Sequence, residues 1–180
     1  MRYANAEKDR AVIRFEQAIE IDHPIDEVFA YLADFTNVPS WNYYVLEVRQ
    51  LTPGPVQVGT VYDQIRRTDR QRFQVTAHDP PRTIAVTTLP GERPEFHRHL
   101  TLRPTAGDGT RISDRWELDT GHPRLVQRVA SARIKTAVGE NLAMLKQLLE
   151  HGHAQLQDGR VVALDTHPDA TPGEHDDFPN

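Results

Sequence analysis

The chain has 180 residues, a mass of 20.5 kDa and a formal net charge of −5. Hydrophobic residues make up 38%, charged residues 26% and aromatics 7%, which excludes collagen-like, coiled-coil and wholly disordered chains. A chain of this size buries about 70% of its unfolded surface, enough for one core and crowded for two. With no cysteine there is no disulfide framework, thiolate metal site or cysteine nucleophile.

Residues 13–153 read as the folded domain, preceded by an extension over 1–12. In 15–21, Phe15, Gln17, Ile19 and Ile21 share one face, the alternation of a half-buried strand. A short amphipathic helix follows. Pro24 suits its first position, Asp26 and Glu27 suit the positive end of its dipole, and Ile25, Val28, Phe29 and Leu32 form one stripe. Residues 37–44 hold a proline and packed aromatics and have room for another helical turn.

Six strands are expected next, at about 45–51, 59–68, 71–79, 82–89, 95–103 and 110–119. TPGPVQVG, HDPPR, LPGERP and PTAGDG between them are rich in turn-forming residues, and their shortness implies antiparallel hairpins. The split at 68–70 is the weakest. After Gly121, Leu125, Val129, Ala132, Ala137, Asn141, Met144, Leu145 and Leu148 recur at helical spacing up to Gly152. Such a helix is about 42 Å long.

The acidic end, 154–180, reads as a mostly disordered tail: 157–180 carry six acidic residues against Arg160 alone. Its one apolar run, 161–164, is the part able to dock. The rest of the chain is charge-balanced, which argues against a nucleic-acid groove. No apolar run reaches the roughly 20 residues that span a bilayer, and MRYANAEKDRAVIRF lacks a signal peptide's apolar centre. A cytoplasmic protein is expected; its oligomeric state is not legible.

One seven-stranded antiparallel sheet covered by one long helix gives a two-layer α+β domain. A strongly curved sheet cannot close fully on a single helix, and the space left over is a natural ligand cavity.

Several features carry a resemblance over about residues 13–150. They are the opening strand, Pro24 with Val28, Phe29 and Leu32, the aspartate and tryptophan of ADFTNVPSWNYYVLEV, then VGTVYDQI, HDPPRTIAV and the final helix. In their order and spacing they resemble the START, Bet v 1 and polyketide cyclase/dehydrase superfamily, the helix-grip fold. The resemblance implies a pocket for an apolar small molecule between sheet and helix. Members include lipid and sterol carriers, quinone-binding proteins, plant hormone receptors and aromatase/cyclases, so fold alone does not choose the function.

Nucleophile and phosphate motifs are missing: there is no G-x-S-x-G, P-loop or G-x-G-x-x-G after a strand, and no cofactor is expected. No H-E-x-x-H exists either. His97 and His99 read as surface residues of one strand face, and His151 and His153 as residues suited to a helix C-terminus; no metal site is expected.

The informative positions are polar residues on apolar strand faces. Arg98 shares a face with Phe96, Leu100 and Leu102, and Asp114 shares one with Ile112, Trp116 and Leu118. A hairpin turning over 105–109 sets Arg98 opposite or diagonal to Asp114 on the inner face. Arginine's fork suits a ligand carboxylate, phenolate or enolate, with the carboxylate orienting it. The competing reading is a buried structural ion pair.

Trp41, Tyr43 and Tyr44 suit either the cavity mouth or the core. Tyr62, Gln64 and Arg66 alternate with Val61, Asp63 and Ile65, and either face can be inward. Arg133 and Asn141 flank the helix stripe, Arg133 more naturally on a solvated face. The ligand-contacting candidates are therefore Trp41, Tyr44, Tyr62, Arg98, Asp114, Trp116 and Asn141.

Three functions compete. The first is a carrier or sensor of an apolar small molecule such as a lipid, quinone or polyketide. The second is a polyketide aromatase/cyclase performing aldol closure and dehydration, in which Arg98 stabilises an enolate and Asp114 or a tyrosine moves protons. The third is a protein-interaction domain with a filled cavity. One inward charged pair without a second acid–base centre favours the first.

Overall fold

The structure, a computed structural model, describes residues 12–121 and 124–164. Strand β1 (Ile13–Ile21) buries Ile13, Phe15 and Ile21 and exposes Arg14, Glu16, Ala18 and Glu20, as its alternation requires. Helix α1 (Ile25–Ala33) starts one residue later than expected, because Pro24 caps it: the Pro24 carbonyl accepts from the Val28 N–H at 3.0 Å. Val28, Phe29 and Leu32 are buried as the stripe predicts. Asp34 then starts a 3-10 turn, Phe35–Ser40, by accepting from the Thr36 N–H at 3.0 Å.

Strands β2 (Val45–Gln50), β3 (Val61–Arg66), β4 (Arg70–Asp79), β5 (Thr83–Thr88), β6 (Glu95–Pro104) and β7 (Thr110–Asp119) follow. They pair antiparallel in the order β1-β7-β6-β5-β4-β3-β2, so the first strand closes onto the last. Phe35, Tyr62 and Phe73 meet with ring centroids 5.2–5.3 Å apart and anchor the 3-10 turn on the sheet.

The β6–β7 turn determines the later geometry of the site. The Thr105 N–H donates to the Gly109 carbonyl at 2.8 Å, and Asp108 takes a left-handed φ of 52°. A Cβ on Gly109 would lie 2.9 Å from the Ile21 carbonyl oxygen, so only glycine lets this turn sit against the end of β1. The resulting register sets Leu100 opposite Asp114 and Arg98 opposite Trp116.

Helix α2 (Arg124–His151) packs on the sheet and completes the α+β helix-grip arrangement. Leu142, Leu145, Leu148 and Leu149 are buried; Met144 and Ala137 are half-buried, and Ala132, expected on the stripe, is exposed. The Leu125 and Val129 side chains lie outside the described residues. Lys146 Nζ donates to the Glu20 carbonyl at 2.6 Å, and Glu150 accepts from the Asp22 N–H at 2.7 Å, holding α2 against the end of β1. Gly152, at φ 74°, ends the helix by donating to the Leu148 carbonyl at 2.8 Å.

The expected unstructured tail is corrected over its first part. Strands β8 (His153–Gln155) and β9 (Val161–Ala163) form a hairpin, and Leu164 donates to the Gly152 carbonyl at 2.9 Å. Ala154 and Leu156 are buried, and Val162 and Leu164 pack against the core. A few inward apolar residues at period two suffice because the hairpin borrows the core of its neighbours, while Val161 stays exposed. The expectations for 1–11 and 165–180 lie outside the described residues. Among the described residues, no helix is long and apolar enough to cross a membrane.

Candidate functional site

A cavity of about 470 Å³ lies between the inner face of the sheet and α2. Its walls are mainly apolar: Phe35, Val38, Phe73, Val86, Phe96 and Leu118 on one side, and Ile134, Ala137 and Val138 of α2 on the other. The inward alternation of β4, β6 and β7 supplies the sheet wall.

A buried cation stands on that wall. Arg98 is 7% exposed and Asp114 is fully buried beside it. Arg98 Nε and Nη2 donate to the two Asp114 oxygens at 2.9 and 2.8 Å, a bidentate fork. Because Arg98 faces Trp116 and Leu100 faces Asp114, the pair is diagonal. The guanidinium carbon lies 4.9 Å from the Trp116 ring and 5.5 Å from that of Trp41, so two indoles flank the charge. Both Asp114 oxygens are engaged by Arg98, while Arg98 Nη1 has no described protein partner.

The expected site residues divide into two groups. Arg98, Trp116, Asn141 and Tyr44 line the cavity, with Tyr44 46% exposed at the mouth. Asp114, Trp41 and Tyr62 do not: they stand behind the wall. Asp114 is covered by the arginine it holds, and Trp41 is buried beside that arginine. Tyr62 turns its ring onto Phe73 and donates its hydroxyl to Gln50 Oε1 at 3.2 Å. Burial, with the nearby Asp34 charge adding to it, pushes the Tyr62 phenol up to about 12, so it is no proton shuttle near neutrality.

The mouth is basic but mostly neutralised. Arg66 forks onto Asp69 at 2.6 and 2.8 Å. Arg67 lies 3.9 Å over the Tyr43 ring and donates to Asp158 of the β8–β9 hairpin at 2.8 Å. Arg133, exposed as expected, is also at the rim. Gln64 and Arg66 could have been found from the Tyr62 alternation once its inward face was known. Arg67 carried no such signal, since its partner lies 91 residues away. His97 and His99 are exposed.

A curved antiparallel sheet gripping a long helix around a mainly apolar cavity defines the helix-grip fold. The chain belongs to the polyketide cyclase / dehydrase and lipid transport family, whose model matches residues 12–150. No curated relative matches the sequence. Among the solved structures that share the fold are two crystal structures. A Deinococcus radiodurans protein is 20% identical with a TM-score of 0.58, over 79% of this chain and 98% of that one. The di-domain ARO/CYC StfQ from the steffimycin biosynthetic pathway is 19% identical with a TM-score of 0.63. That match covers 79% of this chain and 52% of StfQ, so the present chain spans about half of the di-domain protein.

Proposed function

We propose that the protein binds a largely apolar small molecule in the cavity between sheet and α2, with Arg98 as its polar anchor. The observation that carries this reading is a cavity of about 470 Å³ with an aspartate-clamped, nearly buried arginine on its wall. The volume lies within the range of roughly 300–1,000 Å³ of small-molecule pockets, and open space of that size counts against a filled-core interaction domain. The same family and fold also include cyclases, but the acid–base groups here are poorly placed for turnover. Asp114 has both oxygens bound, and Tyr62 is off the wall and holds its proton. Binding is therefore favoured over aldol cyclisation.

Native mass spectrometry of the purified protein, followed by denaturing extraction, tests this. The expected result is a stoichiometric apolar passenger in the wild type that is lost from a folded Arg98→Met/Asp114→Leu variant. An empty wild type that also ignores a panel of lipids, quinones and aromatic polyketides would overturn the reading.

A further inference from the structure

Resting on the reading of this cavity as a ligand site, the structure assigns a chemical class to the ligand's buried end. We infer that this end is neutral and carries both an acceptor and a hydroxyl, and that Trp116 and Asn141 select for it.

The first observation is charge balance. Of the arginines lining the cavity Arg98 is the buried one, and Asp114 already matches it at 2.8 Å with no exposure to solvent. Arg98 and Asp114 together act as a neutral dipole. A carboxylate pushed against it would be a buried charge without a free counter-ion, which is costly, whereas a carbonyl can accept from Arg98 Nη1 without adding charge.

The second observation is two polar groups with nothing to bind. Among the described residues, three buried side-chain atoms lack a hydrogen-bond partner, Gln71 Oε1, Trp116 Nε1 and Asn141 Oδ1, and the residues of the last two line the cavity. Asn141 is only 6% exposed and interrupts an otherwise apolar run with Val138, Leu142 and Leu145. A core with nothing to recognise would gain by placing leucine there, since an unsatisfied buried amide is destabilising.

The indole and the Arg98 guanidinium come from directly opposed positions of β7 and β6 and lie 4.9 Å apart, close enough for one acceptor at the sheet to meet both donors. Asn141 comes from α2 across the cavity. A hydroxyl suits it in either amide orientation, because a hydroxyl both donates and accepts.

Isothermal titration calorimetry at pH 6 with 6-hydroxy-1-tetralone, 1-tetralone, tetralin and tetralin-1-carboxylate tests the inference. The hydroxyketone should bind tightest, with each lost polar group weakening binding about five- to tenfold, and the carboxylate should not compete with it. Asn141→Leu should raise the melting temperature of the free protein and bring the hydroxyketone down to the affinity of the plain ketone. Trp116→Phe should narrow the gap between 1-tetralone and tetralin.

Tetralin binding as tightly as the hydroxyketone, or a carboxylate outcompeting it, would overturn the inference while leaving a ligand cavity in place. An Asn141→Leu protein that is less stable than wild type would overturn it too, by making Asn141 structural. If no probe binds and no passenger co-purifies, the underlying ligand reading fails with it.

Discussion

Arg98 reaches diagonally across the β6–β7 hairpin to Asp114, two residues before its directly opposed partner Trp116, and engages both carboxylate oxygens at 2.9 and 2.8 Å. With the partners 7% and 0% exposed, neither charge has water to fall back on. Arg98→Met alone should therefore destabilise the fold by about 3–5 kcal/mol by stranding Asp114. Arg98→Met/Asp114→Leu should recover most of that, and urea unfolding of the set of variants decides it. Equal losses in the single and double variants would mean that packing, not charge pairing, dominates at this position.

Tyr62 separates a cavity residue from a core residue. Tyr62→Phe removes one hydrogen bond to Gln50 and should cost about 1 kcal/mol, while ligand affinity stays within about twofold. Absorbance titration should show a tyrosine component near pH 12 in the wild type that is missing from Tyr62→Phe.

The β8–β9 hairpin is tied to the cavity mouth through Asp158 and Arg67. This is a partly solvated pair, so Asp158→Ala should change global stability little. Its local effect should be larger. Hydrogen exchange should rise across residues 153–164 and at Tyr43 and Arg67, with the central strands unchanged.

On the outer face, the Arg70 guanidinium forks onto the buried Asp63 carboxylate at 2.7 Å and, outweighing the effect of burial, holds its pKa below the ordinary carboxylate value. A depressed folded pKa contributes stability that is present above the unfolded value near 4 and lost as pH falls through the folded one. Wild type should therefore lose more stability than Asp63→Asn between about pH 5 and pH 2.5, with the two curves converging at the acid end. Parallel curves in urea unfolding would remove Asp63 from the acid response.

Much of the fold was legible along the chain. Period-two alternation and turn residues located the seven strands of the main sheet to within two residues, and Gly152 marked the end of α2. Arg98 and Asp114 stood out because each broke an apolar strand face, and a five-residue turn was enough to bring them together. The hairpin at 153–164 was not legible: its strands have three residues each, too short for a periodic signal, and their burial depends on the flank of α2.

Sequence by itself determined which side chains share a face, because alternation and helical spacing are local properties of the backbone, but for β3 it left open which face is inward. Only the tertiary structure decided what an inward side chain meets. Tyr62 and Trp116 are both inward-facing aromatics on strands, yet Tyr62 is packed under the 3-10 turn and Trp116 lines open space. That difference comes from where the curved sheet stops touching α2, which is set by contacts between residues more than a hundred positions apart, such as Asp22 with Glu150 and Glu20 with Lys146.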